Sequence, residues 1–193
     1  MLIYVHGFAS SGNATKAGML KKYFGKEGKV IAPDLPVEPY KTMILLQNLI
    51  TNSKDRVEMV GSSLGGFYAM ICNCIFNIPA VLINPTVHPW ISLQSEVGMH
   101  KNHHTNQTFE WKKEYLHQLE DIYLKCGKII NETKIFLLLA EDDPVLDYKE
   151  AQDEIQKPGS LLVWDRAGHE FSRFNEALPL VREFFEPDRS LVY

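Results

Sequence analysis

Short apolar runs alternate regularly along this chain with segments of helical spacing, and this pattern limits the folds that it can adopt. Six runs are continuous and rich in Val, Ile and Leu: 2–6, 29–32, 56–60, 80–83, 134–139 and 161–164. Segments with helical spacing lie between or after them: 14–24, 42–51, 64–76, 148–156 and 175–185. Such runs are typical of strands buried on both faces, and their alternation with helices indicates a parallel sheet. The sequence therefore predicts an α/β fold with a doubly wound, mostly parallel, six-stranded sheet and helices on both faces.

The 193 residues fit a single domain, 1–193, with one unusually long connection. Residues 85–130 separate the fourth and fifth predicted strands, which is far more than an ordinary crossover needs. The first half is rich in Pro, His, Asn and Thr, whereas 109–126 has the spacing of an amphipathic helix. We expect an insertion over the site that is part lid and part crossover helix. One irregular loop followed by an ordinary helix is the alternative.

Composition excludes several function classes. The net charge is −4 and there is no long basic run, so nucleic acid is not an expected partner. No apolar run reaches the length of a membrane span and nothing at the start marks export, which predicts a cytoplasmic protein with no membrane partner. Cys72, Cys74 and Cys126 suggest neither a disulfide framework nor a zinc site, so buried reduced thiols are expected. The oligomeric state stays open.

The segment Gly61-Ser62-Ser63-Leu64-Gly65 lies between a predicted strand and a predicted helix. This Gly-x-Ser-x-Gly pattern can place a serine nucleophile on a sharp turn, because its glycines allow the helix to approach the strand closely. A surface turn that carries the pattern by chance is the alternative, but the flanking patterns favour the nucleophile turn. Ser63 is therefore the candidate nucleophile, and Ser62 is expected to serve the local backbone.

A serine nucleophile needs a base, and the base needs an orienting acid. His169 directly follows the sixth predicted strand, and Asp143 follows the fifth. In a parallel sheet these positions share one edge with Ser63, and the order Ser, Asp, His is that of the α/β-hydrolases. His6, after the first strand, is the rival base.

The acid is the least constrained member of this set. Glu141, Asp142 and Asp147 lie close to Asp143 in the same loop. Asp147, with Glu150 three residues later, resembles an N-cap of the helix that follows, and Asp142 could polarise the turn. We favour Asp143.

The segment His6-Gly7-Phe8 suits an oxyanion hole, in which the backbone N–H groups of Phe8 and Leu64 point at the developing charge. His6 would then brace the loop. Gly7, Pro85 and Trp90 are expected to bind substrate, although Trp90 could equally pack in the core. The loop histidines His100, His103 and His104 fit no common zinc spacing, so we expect no metal.

Several of these segments together resemble the YqiA-like esterase family of small bacterial α/β-hydrolases. The matching stretches are 2–8 with Ser10-Ser11, 33–36, 61–69, 81–85, 145–148, and Gly168-His169 with Phe171. Pro144 and Ala167 depart from the pattern that we expect of the family, but neither change removes a candidate catalytic residue.

This resemblance implies a trimmed α/β-hydrolase fold that starts at the strand carrying His6-Gly7, without the two leading antiparallel strands of larger relatives. It also implies esterase chemistry with Ser63 as nucleophile, His169 as base and an acid in the Asp143 segment. We therefore expect a serine esterase that hydrolyses short-chain acyl esters through an acyl-enzyme, with no cofactor. The alternatives are an acyl-CoA-type thioesterase and a non-catalytic binding protein on a hydrolase scaffold.

Overall fold

The computed structural model describes residues 1–25, 29–126 and 130–186. Its strands are β1 (Leu2–Val5), β2 (Val30–Ile31), β3 (Glu58–Ser62), β4 (Ala80–Ile83), β5 (Gly98–Lys101), β6 (Thr108–Trp111), β7 (Ile135–Ala140) and β8 (Ser160–Trp164). Six of them form one sheet in the order β2-β1-β3-β4-β7-β8, and each neighbouring pair is parallel. The predicted doubly wound sheet is therefore confirmed.

Helices cover both faces of this sheet. They are α1 (Thr15–Phe24), α2 (Pro39–Thr51), α3 (Leu64–Phe76), α4 (Pro89–Ser92), α5 (Lys113–Cys126), α6 (Tyr148–Glu154) and α7 (Phe174–Phe185). Buried side chains of α2, α3, α5 and α6 pack on one face, and those of α1 and α7 pack on the other. No helix in the described part of the chain is both long and apolar enough to span a bilayer.

The strand β7 shows why the strands of this sheet are continuous apolar runs in the sequence. Successive side chains of a strand point to opposite faces. Ile135, Leu137 and Leu139 join the core beneath α2, α3 and α5, whereas Phe136 and Leu138 join the core beneath α1 and α7. A strand covered by helices on both sides must be apolar at every position.

The long connection contains more structure than we predicted. It comprises α4, an antiparallel hairpin of β5 and β6, and α5; residues 127–129 of the predicted insertion lie outside the described residues. The helix predicted over 109–126 begins only at Lys113, because 109–111 belong to β6. Phe109 and Trp111 both pack edge-on against Phe8 in the loop after β1, with ring centroids 5.7 and 5.2 Å away. This tertiary contact stabilises a strand where the spacing alone favoured a helix.

The expectation of three reduced cysteines is wrong for one pair. Cys74 of α3 and Cys126 of α5 form a disulfide, and their Cα atoms are 6.4 Å apart. Cys72 is free and buried. The two paired residues are 52 positions apart in sequence, so only the packing of α3 against α5 brings them together.

Close backbone packing positions the start of α3. A Cβ atom on Gly65 would collide with the carbonyl oxygen of Val5 in β1, and one on Gly61 would collide with the carbonyl oxygen of Gly65. Both glycines therefore allow the first turn of α3 to lie directly against the sheet, as expected from the pattern.

Replacing Gly65 by alanine tests this packing. We expect Gly65→Ala to lower the free energy of unfolding by about 1–3 kcal/mol, because the new methyl group meets rigid backbone. Gly18 is the matched control: a Cβ there meets nothing within 4 Å, and alanine favours the helix by about 0.5–1 kcal/mol. Urea unfolding should show opposite signs for the two variants, and a neutral Gly65→Ala would contradict the packing argument.

Candidate active site

Ser63 lies on the turn between β3 and α3, in a backbone conformation that L residues rarely adopt. Its φ is 54° and its ψ is −120°. The turn is held because the Ser63 N–H donates to the carbonyl of Ile83 at 3.0 Å, and the Ser63 carbonyl accepts from Gly66 N–H at 2.9 Å. A strained serine between a strand and a helix is the geometry of a nucleophile turn.

The structure brings Ser63, His169 and Asp143 together in one chain of contacts. His169 Nδ1 lies 2.8 Å from Asp143 Oδ2, and His169 Nε2 lies 3.2 Å from Ser63 Oγ. With Nδ1–H donating to the carboxylate, Nε2 is free to accept the hydroxyl proton of Ser63. This arrangement can turn a serine hydroxyl into an attacking group.

Asp143 is held as a buried carboxylate, with a side chain only 1% exposed. Its Oδ1 accepts hydrogen bonds from the N–H groups of Val145 at 2.8 Å and Leu146 at 3.0 Å. Burial by itself raises the pKa of Asp143, but the hydrogen bonds from His169 and the two N–H groups outweigh it and hold the pKa below its usual value. Asp143 is therefore ionised where a histidine base would operate.

The neighbouring aspartates have other partners. Asp142 Oδ1 accepts from the N–H groups of Ala167 and Gly168, each at 2.9 Å, and thereby ties its loop to the loop of His169. These bonds from Gly168 and Ala167 lower the pKa of Asp142. Asp147 accepts from Lys149 N–H at 3.0 Å, which confirms it as the N-cap of α6. Of the three aspartates, Asp143 is the one in contact with His169.

The two backbone segments that carry the predicted oxyanion-hole residues, Phe8 and Leu64, adjoin Ser63. A Cβ on Gly7 would be 3.8 Å from Ser63 Oγ, so the loop after β1 passes directly next to the hydroxyl. Leu64 is the first residue of α3, where backbone N–H groups have no carbonyl partner within the helix. Such groups, together with the helix dipole, favour a developing negative charge.

Comparison with known proteins identifies the family of this chain. A family model described as "Uncharacterised protein family (UPF0227)" matches residues 1–186. The chain belongs to the UPF0227 family. A UPF0227 protein of Shewanella sp. (strain MR-4) is 28% identical over 199 residues, covering 95% of this chain and 98% of the relative. UPF0227 is the YqiA family, which the motifs of the sequence resembled.

Solved structures show the fold of this UPF0227 chain to be that of the α/β-hydrolases. Est1E from Butyrivibrio proteoclasticus with bound ferulic acid superimposes with a TM-score of 0.77 at 14% identity, covering 98% of this chain and 89% of that one. The monoacylglycerol lipase of Paleococcus ferrophilus gives 0.71 at 13% identity, covering 96% and 93%. Identities this low show the fold alone.

A small cavity of about 60 Å³ lies between the loop after β1 and Leu64, the residue that follows Ser63. Gly7, Phe8 and Leu64 contribute to its wall. The other lining residues are His6, Ala9, Ser10, Leu35, Pro36, Val37, Thr42, Tyr68, Asn102, Phe109 and Trp111. The hairpin of β5 and β6 therefore closes one side of the cavity.

Two predicted substrate-binding residues lie elsewhere. Trp90 packs against Phe67, His88 and Tyr123, and this agrees with the alternative of core packing. Pro85 packs against Gly66 in the first turn of α3. Neither of these two residues lines the cavity. Gly7 is the one of the three that does line it.

The tip of the hairpin holds the loop after β1 through contacts that the sequence did not indicate. Asn102 Nδ2 donates to the carbonyl of Ser10 at 2.7 Å, and His103 N–H donates to the carbonyl of Ala9 at 2.8 Å. Ala9 has a φ of 52°, so the loop turns sharply just after Phe8. Over 1–25, 29–126 and 130–186, no three or more His, Cys, Asp or Glu side chains cluster as metal ligands.

His6 braces the same loop from below, as we expected. Its Nε2 accepts from Leu35 N–H at 3.1 Å, so Nδ1 carries the proton and donates to the Gly7 carbonyl at 2.9 Å. Burial lowers the pKa of His6 below its usual 6.5. The folded protein therefore favours neutral His6, because protonation of the ring at Nε2 would remove the acceptor of the Leu35 N–H.

This burial predicts a pH dependence of stability. The unfolded chain binds a proton at His6 at higher pH than the folded chain, so the free energy of unfolding should fall as pH decreases below about 6.5. In His6→Gln this slope between about pH 7 and 5 should be smaller, whereas His117→Gln on the exposed side of α5 should leave it unchanged. Urea unfolding at several pH values across this range measures the slope of the free energy of unfolding against pH. Equal slopes in wild type and His6→Gln would contradict the prediction.

Proposed function

We propose that this chain is a serine esterase that hydrolyses short-chain carboxylic esters through an acyl-enzyme on Ser63. The observation that carries the proposal is the unbroken contact from Asp143 through His169 to the strained Ser63. A surface turn or a ligand-binding loop has no need of a buried carboxylate that orients an imidazole toward a hydroxyl. A serine nucleophile needs both groups, because it must lose its proton during attack.

In the first half of the proposed reaction, His169 Nε2 takes the proton of Ser63 Oγ as the oxygen attacks the ester carbonyl carbon. The carbonyl oxygen becomes an oxyanion, which the N–H groups of Phe8 and Leu64 stabilise. The tetrahedral intermediate then collapses, the bond to the alcohol oxygen breaks, and His169 donates its proton to the departing alcohol. Asp143 holds the imidazole in position and stabilises its charged form throughout.

In the second half, the same groups release the acyl chain. His169 takes a proton from a water molecule, whose oxygen attacks the acyl carbonyl carbon on Ser63. Collapse of this second intermediate breaks the bond to Ser63 Oγ, which regains a proton from His169. The products are a carboxylic acid and the free enzyme, and no cofactor takes part.

The cavity supports a small acyl group. Its volume of about 60 Å³ has room for only a few water-sized groups. The wall combines aromatic side chains from the lid with apolar residues of the loop after β2, which suits a short hydrocarbon chain rather than a charged one. The structural similarity to a monoacylglycerol lipase is consistent with ester chemistry on this fold.

Active-site labelling tests the proposal. A fluorophosphonate should add its mass to Ser63 in wild type, and Ser63→Ala should lose both the label and the turnover of p-nitrophenyl esters. Ser62→Ala is the matched control, since the same change at the adjacent buried serine should leave both. Across esters from acetate to decanoate, kcat/KM should be highest for acyl chains of about two to four carbons.

Folded wild-type protein that neither labels nor turns over any ester would contradict the proposal and favour a binding protein on this scaffold. A clear preference for acyl thioesters over oxygen esters of equal chain length would replace the esterase by a thioesterase.

Asparagine substitutions test the assignment of the acid. Asp143→Asn should lower kcat by about a thousand-fold or more, because the amide favours the wrong tautomer of His169. Asp142→Asn keeps an oxygen that can accept from Ala167 and Gly168, and Asp147→Asn keeps a helix cap, so both should retain most of kcat. All three variants should fold, as judged by urea unfolding. A comparable loss of kcat in Asp147→Asn would overturn the assignment.

A further inference from the structure

The order of the strands poses a problem for His169. Ser63 follows β3 and His169 follows β8, and the sheet order β3-β4-β7-β8 separates these strands by three spacings. At about 4.8 Å each, that is a distance of about 14 Å. The loop carrying His169 must therefore pass back over the ends of β7 and β4 to reach the hydroxyl.

Asn84 lies under this crossing, directly after β4, and is only 3% exposed. Its Nδ2 donates to the carbonyls of Gly168 at 2.9 Å and of His169 itself at 3.0 Å. Its Oδ1 accepts the N–H of Ala140, at the end of β7, at 2.7 Å. The buried amide of Asn84 thus joins the end of β7, which precedes Asp143, to the backbone of His169.

The residues around this amide extend the same connection to the nucleophile. The Asn84 N–H donates to Leu138 in β7 at 3.0 Å, and its φ of 40° turns the chain sharply out of β4. Two residues later, the Thr86 N–H donates to the carbonyl of Ser63 at 3.3 Å. The end of β4 therefore contacts the backbone of the serine turn and of the histidine loop, although it supplies no reacting group.

We propose that Asn84 is a positioning residue that holds the His169 imidazole in its contacts with both Asp143 and Ser63. The inference rests on the proposed esterase function of these residues. An amide suits the position because two carbonyl oxygens need donors while one N–H needs an acceptor. A carboxylate would face both carbonyls without a proton, and a hydroxyl has a single one to donate.

Asn73 provides a matched control for the loss of three buried hydrogen bonds. It lies in α3 and is 0% exposed; its Nδ2 donates to the carbonyls of Ile78 and Asn131, and its Oδ1 accepts the Asn131 N–H. Its partners Ile78 and Asn131 lie just before β4 and β7, at the amino ends of the strands, whereas the site lies at the carboxyl ends. Asn84→Ala and Asn73→Ala should lose similar stability but differ in catalysis.

The experiment compares kcat and KM for p-nitrophenyl acetate in wild type, Asn84→Ala, Asn84→Asp and Asn73→Ala, at a temperature where unfolding curves show each to be folded. We expect Asn84→Ala and Asn84→Asp to lower kcat by about a hundred-fold with KM within about twofold, since a misplaced base slows chemistry more than binding. Asn73→Ala should keep kcat within about twofold of wild type. Folded Asn84→Ala with the kcat of Asn73→Ala would overturn the proposal.

A second readout needs no substrate. The proton that His169 Nδ1 shares with Asp143 should give a far-downfield proton resonance in wild type and in Asn73→Ala, and this resonance should shift or broaden away in Asn84→Ala. If wild type shows the resonance but hydrolyses no ester, the esterase proposal fails while the resonance still decides the role of Asn84. An unchanged resonance in Asn84→Ala would overturn the positioning role whether or not the protein is an esterase.

Discussion

The six strands of the main sheet run in one direction, so every loop that leaves their carboxyl ends starts at the same edge. The loop after β1 carries Gly7 and Phe8, the turn after β3 carries Ser63, and the loops after β7 and β8 carry Asp143 and His169. The rest of the candidate site depends on this constraint. Residues more than a hundred positions apart in sequence become neighbours because parallel strands place their ends side by side.

Parallel strands bring the loops to one edge, but backbone packing and hydrogen-bonded polar side chains fix their separations. Glycines let the start of α3 lie against β1, which puts the serine turn beside the Gly7 loop. Asp142 and Asn84 then each bind backbone groups of the His169 loop from two different strand ends. Asn84 is buried, and a buried polar group is costly unless it is satisfied, so its hydrogen bonds favour a single arrangement of the loops that it joins.

The sequence predicted most of the fold and the members of the site, and its errors have a common cause. Apolar runs revealed the sheet, because strands covered on both faces must be apolar throughout. The hairpin of β5 and β6 was missed, since Trp111 fits the helical spacing of Tyr115 and Leu119. The packing of Phe109 and Trp111 against Phe8, which lies about a hundred positions earlier in the chain, is not visible in that spacing. The role of Asn84 was also invisible, because its partners Gly168 and Ala140 lie far away in sequence.

The α/β class, the strand edge at which chemistry could occur and the residue types at that edge could all be predicted from the sequence. The periodicity of apolar residues and the order of strand, turn and helix are local properties of the chain. The folded structure shows that Asp143 rather than Asp142 or Asp147 contacts His169, that Trp90 packs against the core, and that the long connection contains a hairpin. Those outcomes depend on distances between loops of a few ångströms. Such distances are set by hydrogen bonds and packing between segments that the sequence keeps far apart.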